Sequence, residues 1–287
     1  MASISGFGKT GSLAELPAYD LIGQAYAGVV ALTGEADRPP IAAGLPIADC
    51  TSGLMAFAAI GHALFHRERT GRGQYLDISM IESLFFMHGY ALQAPSVDPP
   101  GQRQRPNGRH FGIVPPAGTY RGPEGYLVIQ VLAPQWDRFC DAVTGFDLRS
   151  DARFNTESAR KANRAALADV IEAWMQTFPS DAALLECLAA HRVPAAPVID
   201  PADAGDHAFF RERQAVRDMV DPVVGPMRVP GFPIHSTERT VPEHESPAPQ
   251  FAEHSAAILR EVLGYDAAKI TALVRAGVIY DHWGPRQ

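Results

Sequence analysis

Residues Leu45 to Gln74, LPIADCTSGLMAFAAIGHALFHRERTGRGQ, constrain the fold more than any other stretch. From Leu54 to Phe65 the run is almost wholly apolar, lacks proline and is longer than a strand. Such a run predicts a helix buried on nearly all faces. It stops at His66, Arg67 and Arg69, then turns at Thr70-Gly71-Arg72-Gly73. Cations in a last turn and glycine just beyond it are C-terminal helix signals. Asp49 therefore stands at the helix start, where unpaired N–H groups and the helix dipole favour a carboxylate. An aspartate there is commonly only an N-cap. Two features add chemistry. Cys50, Thr51, Ser52 and Gly53 are small, so a ligand can approach, and a buried helix is a rigid support. An ionised, accessible, rigidly held carboxylate is competent to attack an activated acyl group.

Composition narrows the class. A chain of 287 residues holds one large or two modest domains, and 46% hydrophobic with 20% charged residues is a soluble globular balance. A net charge of −7 argues against a general nucleic-acid binder. Cys50, Cys140 and Cys187 lie far apart, giving neither a metal spacing nor a disulfide framework, which fits a reducing cytoplasm. Arg67 and Arg69 end the longest apolar run, so no membrane span is expected, and no secretory signal is read at the N-terminus. His62 and His66 stand one helical turn apart, but no third ligand accompanies them, and no metal is expected.

The rest of the chain reads as a mixture of helices and short strands. Gly8-Lys9-Thr10 resembles part of a phosphate-binding loop, but Ser3 stands where that motif needs glycine. Pro17 to Leu32 is expected as one helix ended by Gly34, with Tyr19 and Asp20 opening it. Tyr75 to Met80 alternates like a strand, and Ile81 to Leu92 follows as a helix. The proline-rich stretch Pro95–Pro106 reads as a linker. Beyond it, Gly118–Tyr120 and Tyr126–Val131 are expected strands around the turn Arg121–Gly125. Helices are expected over Gln135–Val143, Asn163–Phe178, with Asn163 as N-cap, and Asp181–His191. Val193–Ile199 is expected as a short strand and Asp200–Arg213 as a helix. From Met219 the spacing of prolines predicts irregular chain, with Pro222–Pro233 and Pro242–Pro249 as connections. Two closing helices are expected, Phe251–Leu263 and Asp266–Ala276. Arg103, Arg105, Arg109 and His110 form a basic group, read first as a solvated surface and alternatively as a phosphate or carboxylate contact.

Several segments together resemble the class III coenzyme A-transferase family, which includes 2-methylacyl-CoA racemases. The matching residues are Ser3-Ile4-Ser5-Gly6-Phe7-Gly8, Pro17-Ala18-Tyr19-Asp20, Gly44-Leu45-Pro46-Ile47-Ala48-Asp49 and His66 to Gln74, with Pro194 to Val198 and Gly225 to Gly231 further on. The resemblance implies an α/β fold with a large helical α/β domain and a smaller α+β domain. It divides the chain into 1–102, the central part of the large domain carrying the nucleophile helix, 103–213, the small domain, and 214–287, a return to the large domain. Asp49 is implied as the catalytic nucleophile, Tyr19 and Asp20 as substrate-binding residues, and Gly6, Phe7 and Gly8 as a loop beside coenzyme A. Backbone N–H groups at the Asp49 helix start or in that loop are candidate oxyanion donors. No permanent cofactor is implied; coenzyme A is part of the substrate, and the partners are an acyl-CoA and a small carboxylic acid. Racemases of the family carry histidine at the position of Tyr19. A phenol is a poor proton-transfer partner at neutral pH, so Tyr19 favours transfer over racemisation. The remaining alternatives are Cys50 as nucleophile, since a helix start activates thiols, and a truncated, non-catalytic family member. The resemblance also implies an interlocked homodimer. It further implies that a nucleotide-fold segment precedes Ser3 in the family, so that coenzyme A binding by this chain alone is expected to be weak unless a partner segment restores it.

Overall fold

The structure, a computed structural model, describes residues 1–97, 103–111, 114–238 and 247–280. The chain divides into two compact units, Met1–Val198 and Ile199–Gln287, where the sequence suggests three segments.

The first unit opens with β1 (Ala2–Ser5), followed by α1 (Asp20–Tyr26), α2 (Val29–Leu32) and α3 (Ile47–Thr70). The expected single helix over Pro17–Leu32 is thus two, because Gly28 adopts a left-handed conformation at φ 86° between them. Strand β2 (Leu76–Ser79) pairs in parallel with β1, Ala2 opposite Leu76 and Ser5 opposite Ser79. Next come α4 (Met80–Phe85) and α5 (Gly89–Val97), again two helices where one is expected. Helix α5 runs through Pro95, so the expected linker begins late, and its residues 98–102 lie outside the described residues.

Helix α3 ends as its sequence predicts. Gly71 caps it at φ 70°, and the Gly71 N–H donates to the Arg67 carbonyl at 2.8 Å. Its expected burial does not hold. Ala48, Ser52 and Ala56, spaced by four, form its buried stripe, and it packs against α1, α4, β1 and β2. The other side is bare: Leu54, Phe57 and Phe65 are 69%, 64% and 63% exposed. With 24 residues it is also long and apolar enough to cross a membrane by length and composition, contrary to the sequence expectation. Arg67, Glu68 and Arg69 lie in its last turn, C-terminal to the apolar part of the helix.

The remainder of this unit builds the main core. Strands β3 (Ala117–Arg121) and β4 (Tyr126–Gln130), the helices α6 (Trp136–Ala142), α7 (Glu157–Ala162), α8 (Arg164–Met175) and α9 (Asp181–Ala190), and β5 (Ala195–Pro197) follow in order. The sheet is antiparallel with β4 central. Leu127 and Ile129 point into the core and Tyr126 and Val128 out of it, the alternation of a sheet covered on one face. Trp174 of α8 is fully buried and meets Phe139 and Phe178 edge-on, with ring centroids 6.0 and 5.3 Å away. Asn163 stands before α8 as expected, but its side chain does not cap the helix; its amide donates to the Arg153 and Ala159 carbonyls instead. Arg160 is buried, donates to the Pro115 and Phe154 carbonyls, and lies 3.9 Å from the Trp136 ring centroid.

The second unit contains α10 (Ala208–Glu212), β6 (Val216–Asp221), β7 (Gly225–Pro230), α11 (Ser255–Glu261) and α12 (Ala267–Arg275). The expected helix over Asp200–Arg213 is shorter, a 3-10 turn at Asp203–Gly205 followed by α10. The expected irregular chain from Met219 is in fact an antiparallel hairpin, Val216 opposite Pro230 and Asp221 opposite Gly225. Prolines are compatible with it because Pro222 sits in the turn and each strand of the two-stranded sheet has a free edge. Asp221 closes the turn by accepting from the Val223 and Val224 N–H groups, both at 2.8 Å. The expected connector Pro242–Pro249 lies outside the described residues up to residue 246.

Candidate active site

Helix α1 is the hub that brings the expected site residues together. At one end of the arrangement is the Gly6–Gly8 loop, which leaves β1 and folds back over the end of β2. Ser79 Oγ donates to the Gly6 carbonyl at 3.0 Å, and the Lys9 N–H donates to Asp77 Oδ2 at 2.9 Å. Gly6 approaches the chain just before α1 so closely that a Cβ there would lie 2.4 Å from the Ala18 Cβ, and Gly8 is left-handed at φ 84°. Both positions therefore require glycine. Phe7 packs edge-on against Tyr26 of α1, centroids 5.0 Å apart. Ser79 and Asp77 are β2 residues that sequence reasoning does not single out. Their signal is the β1–β2 register, which no local pattern carries.

At the other end, α1 meets the start of α3. Gly23 faces Ala48, and a Cβ on Gly23 would lie 2.8 Å from the Ala48 Cβ. Asp49 is the third residue of α3, not its N-cap; the residue before the helix is Pro46, which offers no side-chain cap. The acceptor for the helix start comes from α1. Asp20 Oδ1 accepts from the Ala48 N–H at 2.8 Å and the Asp49 N–H at 3.3 Å. Asp20 Oδ2 accepts from Gln24 Nε2 at 2.6 Å. Gln24 is fully buried, and its Nε2 also donates to the Leu45 carbonyl at 3.0 Å, while its Oε1 accepts from the Ala43 N–H at 2.9 Å. Gln24 is not legible from sequence as a functional residue, since a single glutamine in a helix carries no pattern.

The helix start is accordingly saturated. The Ile47 and Cys50 N–H groups donate to the Leu45 and Pro46 carbonyls. The α3 amides are therefore not free for an oxyanion, which leaves the Gly6–Gly8 loop as the remaining expected donor. Asp49 is exposed, and among the described residues no side chain pairs with its carboxylate. Beside it Cys50 is exposed and free. Tyr19 precedes α1, is 83% exposed, and its carbonyl accepts from the Ile22 and Gly23 N–H groups.

The other chemistry-bearing residues take structural parts. Arg109 pairs with Glu172, which also accepts from the Arg121 N–H at 2.9 Å, so this member of the basic group holds α8 to the sheet edge. Burial, with the Arg109 and Arg164 charges, holds His110 below its ordinary pKa. His62 Nδ1 contacts the Ala58 carbonyl and His66 Nδ1 lies 3.4 Å from Thr70 Oγ1, both inside α3. Among the described residues no group of three or more metal-ligating side chains exists. Burial pushes the Cys140 thiol up to about 11.

Comparison with known proteins adds the following. The family model described as CoA-transferase family III matches residues 1–255. A succinyl-CoA:mesaconate CoA-transferase of Haloarcula hispanica is 34% identical over 266 residues, covering 91% of this chain and 65% of its own length. An acetyl-CoA:oxalate CoA-transferase of Acetobacter aceti is 31% identical over 268 residues, covering 93% of this chain and 67% of its own length. A crystal structure of a CaiB/BaiF family protein from Brucella suis superposes with a TM-score of 0.74 at 31% identity, covering 91% of this chain and 67% of that one. The chain thus spans about two thirds of the length of the relatives it matches.

Proposed function

The chain belongs to CoA-transferase family III, and we propose that it moves coenzyme A from an acyl-CoA to a free carboxylic acid, with Asp49 as the covalent carrier. The observation that carries this reading is the placement of Asp49. It is an exposed carboxylate with no protein partner among the described residues, on the first turn of a helix braced from below. The names of the similar proteins pair an acyl-CoA with mesaconate or oxalate, both dicarboxylates, which supports a dicarboxylic acceptor here.

The chemistry follows from the carboxylate. An Asp49 oxygen attacks the thioester carbonyl carbon of the donor; the C–S bond breaks and coenzyme A leaves as thiolate, giving an acyl-aspartyl anhydride. The thiolate then attacks the Asp49 carbonyl carbon. The donor acid departs as carboxylate and an aspartyl-CoA thioester remains. The acceptor carboxylate attacks that thioester, releasing the thiolate and forming a second anhydride. Thiolate attack on the acceptor's acyl carbon yields the new acyl-CoA and restores Asp49. One thioester is exchanged for another of similar energy, so the reaction needs a nucleophile rather than ATP. Water must be kept from the anhydrides. The Gly6–Gly8 loop, with its close approach to the chain before α1, is the part of the site suited to lie against coenzyme A and to offer N–H groups to the oxyanion.

The test is product analysis with millimolar succinyl-CoA and a panel of dicarboxylic acids. Formation of the acceptor's CoA thioester in step with free succinate is expected, and Asp49→Ala should abolish it. Deuterium exchange at C2 of a 2-methylacyl-CoA without any acceptor, with no CoA transfer, would replace this reading by a racemase.

A further inference from the structure

We propose that Asp20 and Gln24 are positioning residues that lock the first turn of α3 and so aim Asp49; the catalytic half of this inference rests on the reading of Asp49 as acyl carrier. The hydrogen-bond directions determine the argument. The Ala43 N–H requires an acceptor, which fixes Gln24 with its Oε1 toward Ala43 and its Nε2 toward Leu45 and Asp20. Asp20 is then faced by donors on both sides, Gln24 Nε2 on one oxygen and the Ala48 and Asp49 N–H groups on the other. Only a group that accepts at both atoms fits, which is an ionised carboxylate. The arrangement closes a loop from α1 through residues 43–45 to α3. Gln24 is fully buried, and Gly23 beside it lets α1 and α3 touch. A part-buried network centred on a buried glutamine, with its donors and acceptors matched, rigidifies what it joins. Asp20, entered by resemblance as a substrate-binding residue, thus has both oxygens occupied within the protein, and Asp49 inherits a fixed backbone while its own carboxylate stays free.

The experiment combines kinetics with amide exchange measured by NMR in the 287-residue chain. Asp20→Asn keeps an acceptor for the α3 amides but turns an NH2 group toward Gln24 Nε2, donor against donor. Turnover is expected to fall about 10- to 100-fold, the effect of a small misplacement of a reacting group, with KM for acyl-CoA within about twofold of the parent. The Ala48 and Asp49 amides should lose protection from exchange. Adding Gln24→Glu supplies an acceptor opposite the NH2 group introduced at position 20 but withdraws the donor from the Leu45 carbonyl, so recovery of both readouts is expected to be partial. A rise in KM at unchanged kcat would mean that Asp20 contacts substrate and would overturn the inference. So would unchanged amide protection in Asp20→Asn, or no recovery of either readout in the double variant. Absence of turnover in the parent chain sinks only the transfer reading, since protection and its recovery are read without substrate.

Discussion

At the residue scale, two carboxylates at one helix start do different work. Asp49 lies in the first turn of α3 with its side chain exposed, where a carboxylate contributes about 0.3–1 kcal/mol through the helix dipole. Asp20 satisfies two α3 amides, and its removal leaves them unpaired at a cost of about 1–3 kcal/mol. Thermal unfolding should therefore show Asp20→Ala clearly less stable than Asp49→Ala; equal stability would contradict the assignment of the cap to Asp20. His110 supplies a pH dependence. Burial and the Arg109 and Arg164 charges lower its pKa from the ordinary 6.5, with Glu172 opposing, and its Nδ1 is buried without a hydrogen-bond partner among the described residues. The unfolded chain then binds the proton more readily than the folded one, so this contribution is present above pH 6.5 and is lost as pH falls below it. Denaturant midpoints measured from pH 7.5 to pH 5 should decline, and His110→Gln should flatten the decline. An unaltered slope in the variant would refute it.

At the element scale, local signals were legible and pairings were not. The end of α3 was readable because Arg67, Arg69 and Gly71 act within one turn. Its burial was not, because burial depends on what packs against it, and within α3 the buried residues are the Ala48–Ser52–Ala56 stripe. The β6–β7 hairpin is not legible because Pro222, Pro226 and Pro230, which a turn and edge strands tolerate, mask its strand pattern. The place of Asp49 at the start of a long helix is readable from the sequence, and it lies exposed in the first turn of α3. Its brace was not, since Asp20 and Ala48 are 28 residues apart and Gln24 and Ala43 are 19 apart. Helix α8 was placed correctly by its apolar spacing, and Trp174 anchors it against Phe139 and Phe178. Trp174→Ala should cost about 3–5 kcal/mol. Trp174→Phe should cost less, since the indole N–H has no hydrogen-bond partner among the described residues to lose. Calorimetric unfolding of both variants checks this; a larger loss for Phe than for Ala would contradict the packing described.

At the scale of the whole molecule, the exposed apolar surface is the dominant property. Leu54, Phe57, Ile60, Leu64 and Phe65 lie exposed along α3, and among the described residues β1 and β2 form a parallel sheet of two strands. Parallel sheets are ordinarily covered on both faces, and apolar patches of this kind mark association. We expect sedimentation at micromolar concentration to give a dimer or larger species. Replacement of Phe57 and Phe65 by serine should shift the equilibrium toward monomer. A monomer in the parent chain would contradict this account of the surface.

The central claim is that Asp49 carries the acyl group and then coenzyme A. Its most direct test is acid quenching of the chain after brief incubation with millimolar succinyl-CoA, followed by peptide mass spectrometry across residues 45–67. The account predicts a coenzyme A thioester on Asp49 that hydroxylamine removes and that Asp49→Asn lacks. A label on Cys50 instead, or one that persists at this peptide in Asp49→Asn, would contradict it.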